Sequence, residues 1–146
     1  MSVVSVEFSD GIVLDAGPLI ALLHERDAEH STAVNGFRQL LQARTRLIAP
    51  LPIVFEVYKW LLYEAHPAAA QLGLEQMRQS LVIVYPAETD FEEVTDVLAG
   101  LPAWKGTLED ALVALLALRL DVPVWTMNYR DLSAFPNLHF WTPATA

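Results

Sequence analysis

Residues 12–23 read IVLDAGPLIALL, in which three aliphatic residues run into Asp15 and a Gly-Pro pair opens a second apolar run. The first run predicts a buried strand over residues 11–14. Pro18 suits the first position of a helix, where its missing N–H costs nothing, so a short helix is predicted from there. Gly17 would then be the N-cap, and Asp15 would lie too early to cap the helix. Because burying a carboxylate is costly, Asp15 is predicted to serve a function, with a loose Asx-turn as the alternative.

The rest of the chain alternates short apolar runs with longer helical stretches. Further strands are predicted at residues 46–50, 81–86, 122–126 and 137–141. Helices are predicted at residues 30–43, 51–66, 68–80, 90–101 and 107–120. The third strand is β-branched and uncharged, which is typical of a strand covered on both faces, and Thr89 with Glu92 has capping-box spacing before the next helix. This alternation predicts a parallel sheet sandwiched between helices, in one domain of residues 1–146.

Composition places the chain among globular proteins. Hydrophobic residues make up 53% of the 146, but no apolar stretch approaches the about 20 residues that a membrane helix needs. The opening residues MSVVSVEFSD lack the basic start of a secretory signal, so a cytoplasmic protein without a membrane partner is predicted. Cysteine is absent, which excludes disulfides and thiolate metal sites.

The net charge is −9, from 18 acidic and nine basic residues. Such a surface repels nucleic-acid phosphates, so an extended basic binding face is not expected. A nucleic-acid enzyme whose local field is set by bound cations is still allowed. Motifs for other chemistries are missing: the sequence contains no GxxxxGK[ST] or GxGxxG, no GxSxG and no HExxH.

Acidic residues recur at places that a parallel sheet would bring together. Asp15 and the segment TMNYRD (residues 126–131) each follow a strand, and ligand sites in such sheets lie beyond the carboxyl ends of the strands. Glu56 borders the apolar stripe of its helix. Its alternative role is a surface pair with Lys59, three residues further on.

Asp110 and Asp131 also have structural explanations. Thr107 and Asp110 have capping-box spacing, and an acid in the first turn suits the helix dipole. The same turn would also point at the edge of the sheet where Asp15 is expected. Asp131 lies in a polar turn, where an acid is usually solvated, and Asn128 could cap the short helix or accept a water.

Acids gathered at one edge would raise one another's pKa and destabilise the fold. Hard divalent cations relieve this repulsion, since Mg²⁺ and Mn²⁺ prefer oxygen ligands and are often held by a few carboxylates and waters. Such ions can activate a water and stabilise the charge of a phosphodiester displacement. This chemistry needs no Ser, Cys or His nucleophile, which suits a chain without cysteine.

Three segments carry a resemblance to a known family: IVLDAGPLIALLHERDAEH, LPIVFEVYKWL and LEDALVALLALRLDVPVWTMNYRDL. In their order and spacing the sequence resembles the PIN-domain family, which includes the ribonuclease toxins of bacterial VapBC-type toxin–antitoxin pairs. The resemblance implies a three-layer α/β/α sandwich with an acidic pocket that holds Mg²⁺ or Mn²⁺ and cleaves single-stranded RNA. It places the first three acids of the family on Asp15, Glu56 and Asp110, with Asp15 and Asp110 as the metal ligands.

The fourth acid departs from the commonest family pattern. Many members have Thr-x-Asp after the fourth strand, whereas this chain has Thr126-Met127-Asn128. A variant that reads Thr-x-Asn-x-x-Asp-Phe resembles TMNYRDL, which makes Asp131 the fourth acid and Asn128 and Thr126 supporting residues of the pocket. Ala16 stands where many members carry a Thr or Ser hydroxyl.

The resemblance implies a metal-dependent endoribonuclease, a toxin whose partners are RNA and a small antitoxin protein. The alternative is a catalytically degenerate PIN-like module that binds proteins, which the residues at positions 16 and 128 and the acidic surface favour. Apolar side chains in residues 60–77 indicate either a homodimer face or a layer that simply covers the sheet. RNA binding would use a dimer groove or scattered basic groups, namely Arg26, Arg38, Arg44, Arg46 and Arg130.

Overall fold

Four parallel strands and seven helices alternate along residues 10–145, the part of the chain that this computed structural model describes. The strands are β1 (Gly11–Leu14), β2 (Arg46–Pro50), β3 (Val82–Val84) and β4 (Val124–Trp125). The helices are α1 (Ala16–Leu23), α2 (His30–Gln42), α3 (Leu51–Glu64), α4 (Pro67–Ser80), α5 (Glu88–Ala99), α6 (Leu108–Leu120) and α7 (Tyr129–Leu132). The predicted α/β fold is confirmed.

The order of the strands decides where their loops meet. The chain moves in one direction from β1 to β2 and on to β3, and it then returns to place β4 on the other side of β1. Right-handed crossovers therefore put α1 to α4 on one face of the sheet and α5 with α6 on the other, which gives three layers. The chain leaves β1 and β4 in opposite directions, so their carboxyl ends form the crevice where such sheets bind ligands.

The core surrounds the central strand. All four residues of β1 are buried, as expected for a parallel strand covered on both faces. The ring of Trp125 in β4 packs against Phe37 of α2, with the ring centroids 4.7 Å apart. Gly36 permits this approach, because a Cβ at that position would lie 2.4 Å from the Trp125 ring.

Three strands are shorter than predicted, namely β3, the strand at residues 137–141 and β4, which covers two of the five residues predicted at 122–126. Strand β3 is also less buried than predicted. Val82 in β3 is 48% exposed, so the prediction of a strand covered on both faces is wrong. The reason is that β3 lies at the edge of the sheet, where β2 is its one neighbour. The strand predicted at residues 137–141 is a single bridge between Val124 and Phe140.

The start of α5 also differs from its prediction. The helix begins at Glu88, ahead of the proposed capping box of Thr89 and Glu92. Asp90 accepts a hydrogen bond from the N–H of Ala87 there. The positive end of the helix dipole stabilises an acid at this position. The same carboxylate also satisfies an N–H that has no partner within the helix.

Each helix within residues 10–145 is too short or too polar to cross a membrane. The prediction that no secretory signal is present concerns residues 1–9 above all, and these lie outside the described residues.

Candidate active site

Asp15 directly follows β1 and is the N-cap of α1. The helix begins at Ala16, and the Asp15 Oδ1 accepts a hydrogen bond from the Ala16 N–H at 2.9 Å. The prediction that Asp15 lies too early to cap the helix is therefore wrong. Pro18 occupies the third helical position, where a missing N–H is still harmless because the first four amides have no partner within the helix. Asp15 is 5% exposed, so its second oxygen also needs a partner.

The second oxygen of Asp15 is bound by the end of β4. The buried hydroxyl of Thr126 donates a hydrogen bond to the Asp15 Oδ2 at 2.7 Å and accepts one from the Asn128 N–H at 2.9 Å. The side-chain amide of Asn128 then donates to the Asp110 Oδ2 at 3.2 Å and to the Asp131 Oδ2 at 3.0 Å. Thr126 and Asn128 thus connect three of the four predicted acids, as supporting residues would.

Asp110 combines a capping role with a place beside Asp15. The Thr107 Oγ1 accepts a hydrogen bond from the Asp110 N–H at 3.1 Å, and the Asp110 Oδ2 accepts one from the Thr107 N–H at 3.3 Å. This is the predicted capping box. It fixes the carboxylate on the first turn of α6, so capping and the candidate site use the same side chain.

Glu56 lies in the second turn of α3, and its Oε1 is buried without a hydrogen-bond partner among the described residues. Burial, followed by the negative charges of Asp15, Glu109 and Asp110, raises the pKa of Glu56 to about 7. Lys59, its alternative surface partner, is not among the groups that shift this pKa. An unpaired buried carboxylate oxygen is destabilising by itself and suggests a ligand or a proton there.

These side chains line one cavity of about 260 Å³ at the carboxyl edge of the sheet. Its lining residues are Asp15, Ala16, Gly17, Glu56, Thr107, Asp110, Met127 and Asn128. Three of the four predicted acids therefore face the same space, although they are distant in the sequence. Asp131 does not line the cavity and joins it through its hydrogen bond with Asn128.

The field in the cavity is strongly negative. Burial raises the pKa of Asp15, the charges of Asp110 and Glu109 raise it further, and hydrogen bonds from Thr126 and Ala16 partly offset the effect. The negative charge of Glu109 contributes to the raised pKa of both Asp15 and Glu56. The one sequence signal for Glu109 is its position next to Asp110 on the first turn of α6.

The donor set fits a hard divalent cation. Within residues 10–145 no group of three or more His, Asp or Glu side chains is placed to hold a metal ion. Mg²⁺, however, is often bound through one or two carboxylates and several waters. Asp15 and Asp110 would supply two such carboxylates in the cavity, and the unpartnered Oε1 of Glu56 would add a further acceptor.

The basic residues are spread over both edges of the sheet. Arg44 and Arg46 flank the start of β2 and so lie at the amino edge, away from the cavity. Arg130 in α7 lies at the carboxyl edge with its side chain 89% exposed. Lys105, an exposed cation that the sequence patterns do not point to, lies in the loop before α6, two residues ahead of Thr107, which lines the cavity.

No protein-family model and no curated protein matches the sequence. The structure is similar to VapC20 of Mycobacterium tuberculosis, a sarcin–ricin loop cleaving toxin, with a TM-score of 0.77 and 16% identity over 90% of this chain and 99% of that one. It is also similar to a chain of VapBC2 from Rickettsia felis, crystallised with a DNA fragment from its promoter. Here the TM-score is 0.72 with 14% identity over 90% and 97% of the two chains.

A third similar structure is VapBC-1 from nontypeable Haemophilus influenzae, with a TM-score of 0.69 and 17% identity over 90% of this chain and 97% of that one. At such identities the likeness concerns the backbone and the order of its elements. Over nine-tenths of its length, this chain has the PIN-like fold of the VapC toxins.

Proposed function

We propose that this protein is a metal-dependent endoribonuclease that cleaves single-stranded RNA and acts as a toxin under the control of an antitoxin. The observation that carries the proposal is the convergence of Asp15, Glu56 and Asp110 on one cavity at the carboxyl edge of the sheet. The similarity of the fold to VapC20, a toxin that cleaves the sarcin–ricin loop, supports the same reaction class.

Asp15 and Asp110 would hold Mg²⁺ or Mn²⁺, whose chemistry is to lower the pKa of water and to stabilise the charge of a phosphodiester displacement. Thr126 keeps Asp15 in position through its hydroxyl, and Asn128 does the same for Asp110 and Asp131 through its amide. Glu56, with a pKa raised to about 7, would accept the proton of the attacking water at its Oε1 near neutral pH. Asp131, which accepts a hydrogen bond from the Asn128 side chain, would add negative charge beside the pocket.

A cleavage assay tests this reaction. Wild-type protein, Asp15→Asn and Asp96→Asn would each be incubated with unstructured and structured RNA, in Mg²⁺ or in EDTA. Asp96 is an exposed acid of α5 outside the cavity, so its variant controls for the loss of one negative charge. We expect Mg²⁺-dependent cleavage of the unstructured RNA, unchanged in Asp96→Asn and lowered more than about tenfold in Asp15→Asn. Equal cleavage by Asp15→Asn, or cleavage that EDTA does not affect, would contradict the proposal.

A catalytically degenerate, protein-binding module is the second candidate function. It is favoured by the hydrogen bonds of Asp15, because both of its carboxylate oxygens already accept donors from the protein. Thermal melts separate the two functions. A metal site predicts that Mn²⁺ raises the melting temperature by binding the native state, and that Asp15→Asn or Asp110→Asn abolishes the rise. A melting temperature that Mn²⁺ leaves unchanged would favour the protein-binding module.

The antitoxin partner is supported by a groove of about 700 Å³ away from the cavity. Its walls are mainly apolar side chains of α1, α2 and α4, and Leu47 and Leu81 place it near the amino ends of β2 and β3. A groove of this kind suits the apolar face of a partner helix. The similar proteins from Rickettsia felis and Haemophilus influenzae were crystallised as VapBC pairs.

The cytoplasmic location and the homodimer stay predictions within this proposal. Of the apolar side chains considered for a dimer face, Leu61 and Met77 are buried in the core, whereas Tyr63 and Leu72 are exposed. Covering the sheet therefore accounts for part of the apolar surface of α3 and α4, and a second copy of the chain could cover the rest.

A further inference from the structure

The loop between α5 and α6 packs on the ring of one of its own residues, Trp104. Gly106 lies against this ring, because a Cβ built on Gly106 would be 2.4 Å from Cζ2 and 2.7 Å from Cη2 of Trp104. Gly106 directly precedes Thr107, the N-cap of α6 and one half of the capping box with Asp110. The ring therefore packs on the backbone that leads into the turn carrying Asp110.

The same ring also contacts the segment that follows α7. Its centroid lies 5.4 Å from that of the Phe135 ring, and the two rings are nearly perpendicular, at 81°. Aromatic pairs favour this edge-to-face arrangement. Phe135 is buried, and its N–H donates a hydrogen bond of 3.1 Å to the carbonyl of Leu132, the last residue of α7. Trp104 thus connects the start of α6 with the end of α7.

Trp104 is held by packing rather than by a hydrogen bond of its side chain. The indole N–H is buried and has no hydrogen-bond partner among residues 10–145. Replacing this side chain would therefore remove apolar and aromatic contacts within the described part of the chain, and not a hydrogen bond.

Helices α6 and α7 are joined a second time, at the candidate active site. Asn128, the N-cap of α7, donates its side-chain amide protons to the Oδ2 atoms of Asp110 at 3.2 Å and Asp131 at 3.0 Å. The bond to Asp110 is at the long end of the range for N–H···O hydrogen bonds, so a further separation of about 0.5 Å would break it. This hydrogen bond to the Asp110 carboxylate thus depends on the spacing of α6 and α7.

We propose that Trp104 is a positioning residue for the candidate metal site; the inference rests on the proposed ribonuclease function. Packed between Gly106 and Phe135, the ring sets the spacing of α6 and α7. That spacing keeps Asp110 within reach of the Asn128 amide and in the same cavity as Asp15. Groups that orient the ligands of a metal ion typically contribute about 10–100-fold to its affinity. Loss of the ring should therefore weaken metal binding even though Trp104 touches no metal ligand in the cavity lining.

Binding of Mn²⁺ and exchange of the Asn128 amide protons test this role without any cleavage. Free Mn²⁺ would be counted by electron paramagnetic resonance in titrations of the wild type, Trp104→Ala and Trp104→Phe. In the metal-free proteins, NMR would follow the exchange with water of the Asn128 side-chain protons, assigned with Asn128→Ala. We expect Trp104→Ala to bind Mn²⁺ about tenfold or more weakly and to exchange these protons faster. Trp104→Phe, with a smaller ring, should change both in the same direction but by less.

Trp60→Ala is the matched control. Trp60 is also half-buried, and it forms an edge-to-face pair with the ring of His24, at a centroid distance of 5.1 Å, outside the cavity lining. The variant loses packing of the same kind, so it should be less stable than the wild type. It should nevertheless bind Mn²⁺ and exchange the Asn128 protons like the wild type. Urea denaturation in EDTA would establish that each variant is folded at the temperature of the titrations.

Gly106→Ala tests the same contact from the other side. Its added Cβ would displace the Trp104 ring, so Mn²⁺ binding should weaken in a protein that still contains the tryptophan. In the Trp104→Ala background the same substitution should change Mn²⁺ binding little, because the ring that the Cβ would meet is gone.

The inference is overturned if both Trp104 variants bind Mn²⁺ and exchange the Asn128 protons like Trp60→Ala, or if Gly106→Ala weakens binding equally in both backgrounds. These results are distinguishable from a failure of the proposed function. Equal Mn²⁺ binding by wild type and the Trp104 variants would overturn the positioning role alone. A wild type that binds no Mn²⁺ would overturn the proposed function, and the exchange rates would still decide whether Trp104 holds Asn128 against Asp110.

Discussion

The hydroxyl of Thr126 donates a 2.7 Å hydrogen bond to the carboxylate of Asp15, and this bond joins the carboxyl ends of β4 and β1. Both side chains are buried, and the same hydroxyl accepts the N–H of Asn128. Thr126→Val should therefore lower the free energy of unfolding by about 1–3 kcal/mol, because it leaves buried polar groups without partners. Thr126→Ser, which keeps the hydroxyl, should lower the free energy of unfolding much less. Urea denaturation in EDTA measures both, and equal midpoints for wild type and Thr126→Val would contradict the role of the hydroxyl.

Glu56 should make the stability of the metal-free protein depend on pH. Its pKa is raised in the folded state from 4.5 to about 7, so the folded protein holds this proton more tightly than the unfolded chain does. Stability should therefore fall as the pH rises from about 4.5 to about 7. Glu56→Gln should be more stable than wild type by ~1 kcal/mol at pH 8, after discounting for water at the half-buried side chain, and by less at pH 5.

Chemical denaturation in EDTA at pH 5 and pH 8 measures this difference. Glu64→Gln, an exposed substitution on the same helix, is the control and should show no such dependence. If Glu56→Gln raised the free energy of unfolding equally at both pH values, the surroundings of Glu56 would not be raising the pKa of its carboxyl group.

Asp90 connects α5 to α6 with the opposite dependence on pH. Hydrogen bonds from the Ala87 N–H and from Arg119 lower the pKa of Asp90 in the folded state. The contribution of Asp90 to the stability of the fold is therefore fully present above the ordinary carboxyl pKa. It is lost as the pH falls through the lowered pKa of the folded state. Asp90→Asn should reduce the free energy of unfolding by ~1 kcal/mol at pH 7, a small value since Arg119 is partly exposed and screened, and by less at about pH 3.

Asp96→Asn, on the same helix and exposed, is the control for this substitution. Guanidinium denaturation of the three proteins at the two pH values gives the comparison. A loss of stability in Asp90→Asn that is equally large at low pH would assign the effect to packing rather than to the charged hydrogen bonds.

Gly36 should not tolerate a side chain. A Cβ there would lie 2.4 Å from Cη2 of the buried Trp125 in β4 and 2.7 Å from Cγ of the half-buried Pro143. Gly36→Ala should therefore destabilise the protein by about 1–3 kcal/mol, although alanine is the better helix former. Gly100→Ala is the control, because the nearest atom to its Cβ lies at an ordinary 3.4 Å. A melting temperature of Gly36→Ala at or above that of the wild type would contradict the close packing.

The secondary structure was largely predictable because its signals are local. Strands β1 and β2 have the predicted bounds, since each is an apolar run that ends in a residue unfavourable to a strand, Asp15 or a proline. The start of α1 was predicted two residues late, because Pro18 can occupy more than one position in the first turn of a helix. The exposure of β3 was missed because it depends on which strand lies at the edge of the sheet.

The candidate site was likewise predictable only in part from the sequence. The sequence by itself determined which acids follow strands or open helices, and so that Asp15 and Asp110 would meet at one edge of a parallel sheet. Only the tertiary structure decided that Glu56 has a buried oxygen without a partner, that Glu109 adds to the field and that Asp131 stands outside the cavity. The physical reason is distance: a helix start or a strand end is set by neighbours a few residues away, whereas the charge and burial of a carboxylate depend on elements that the order of the strands brings beside it.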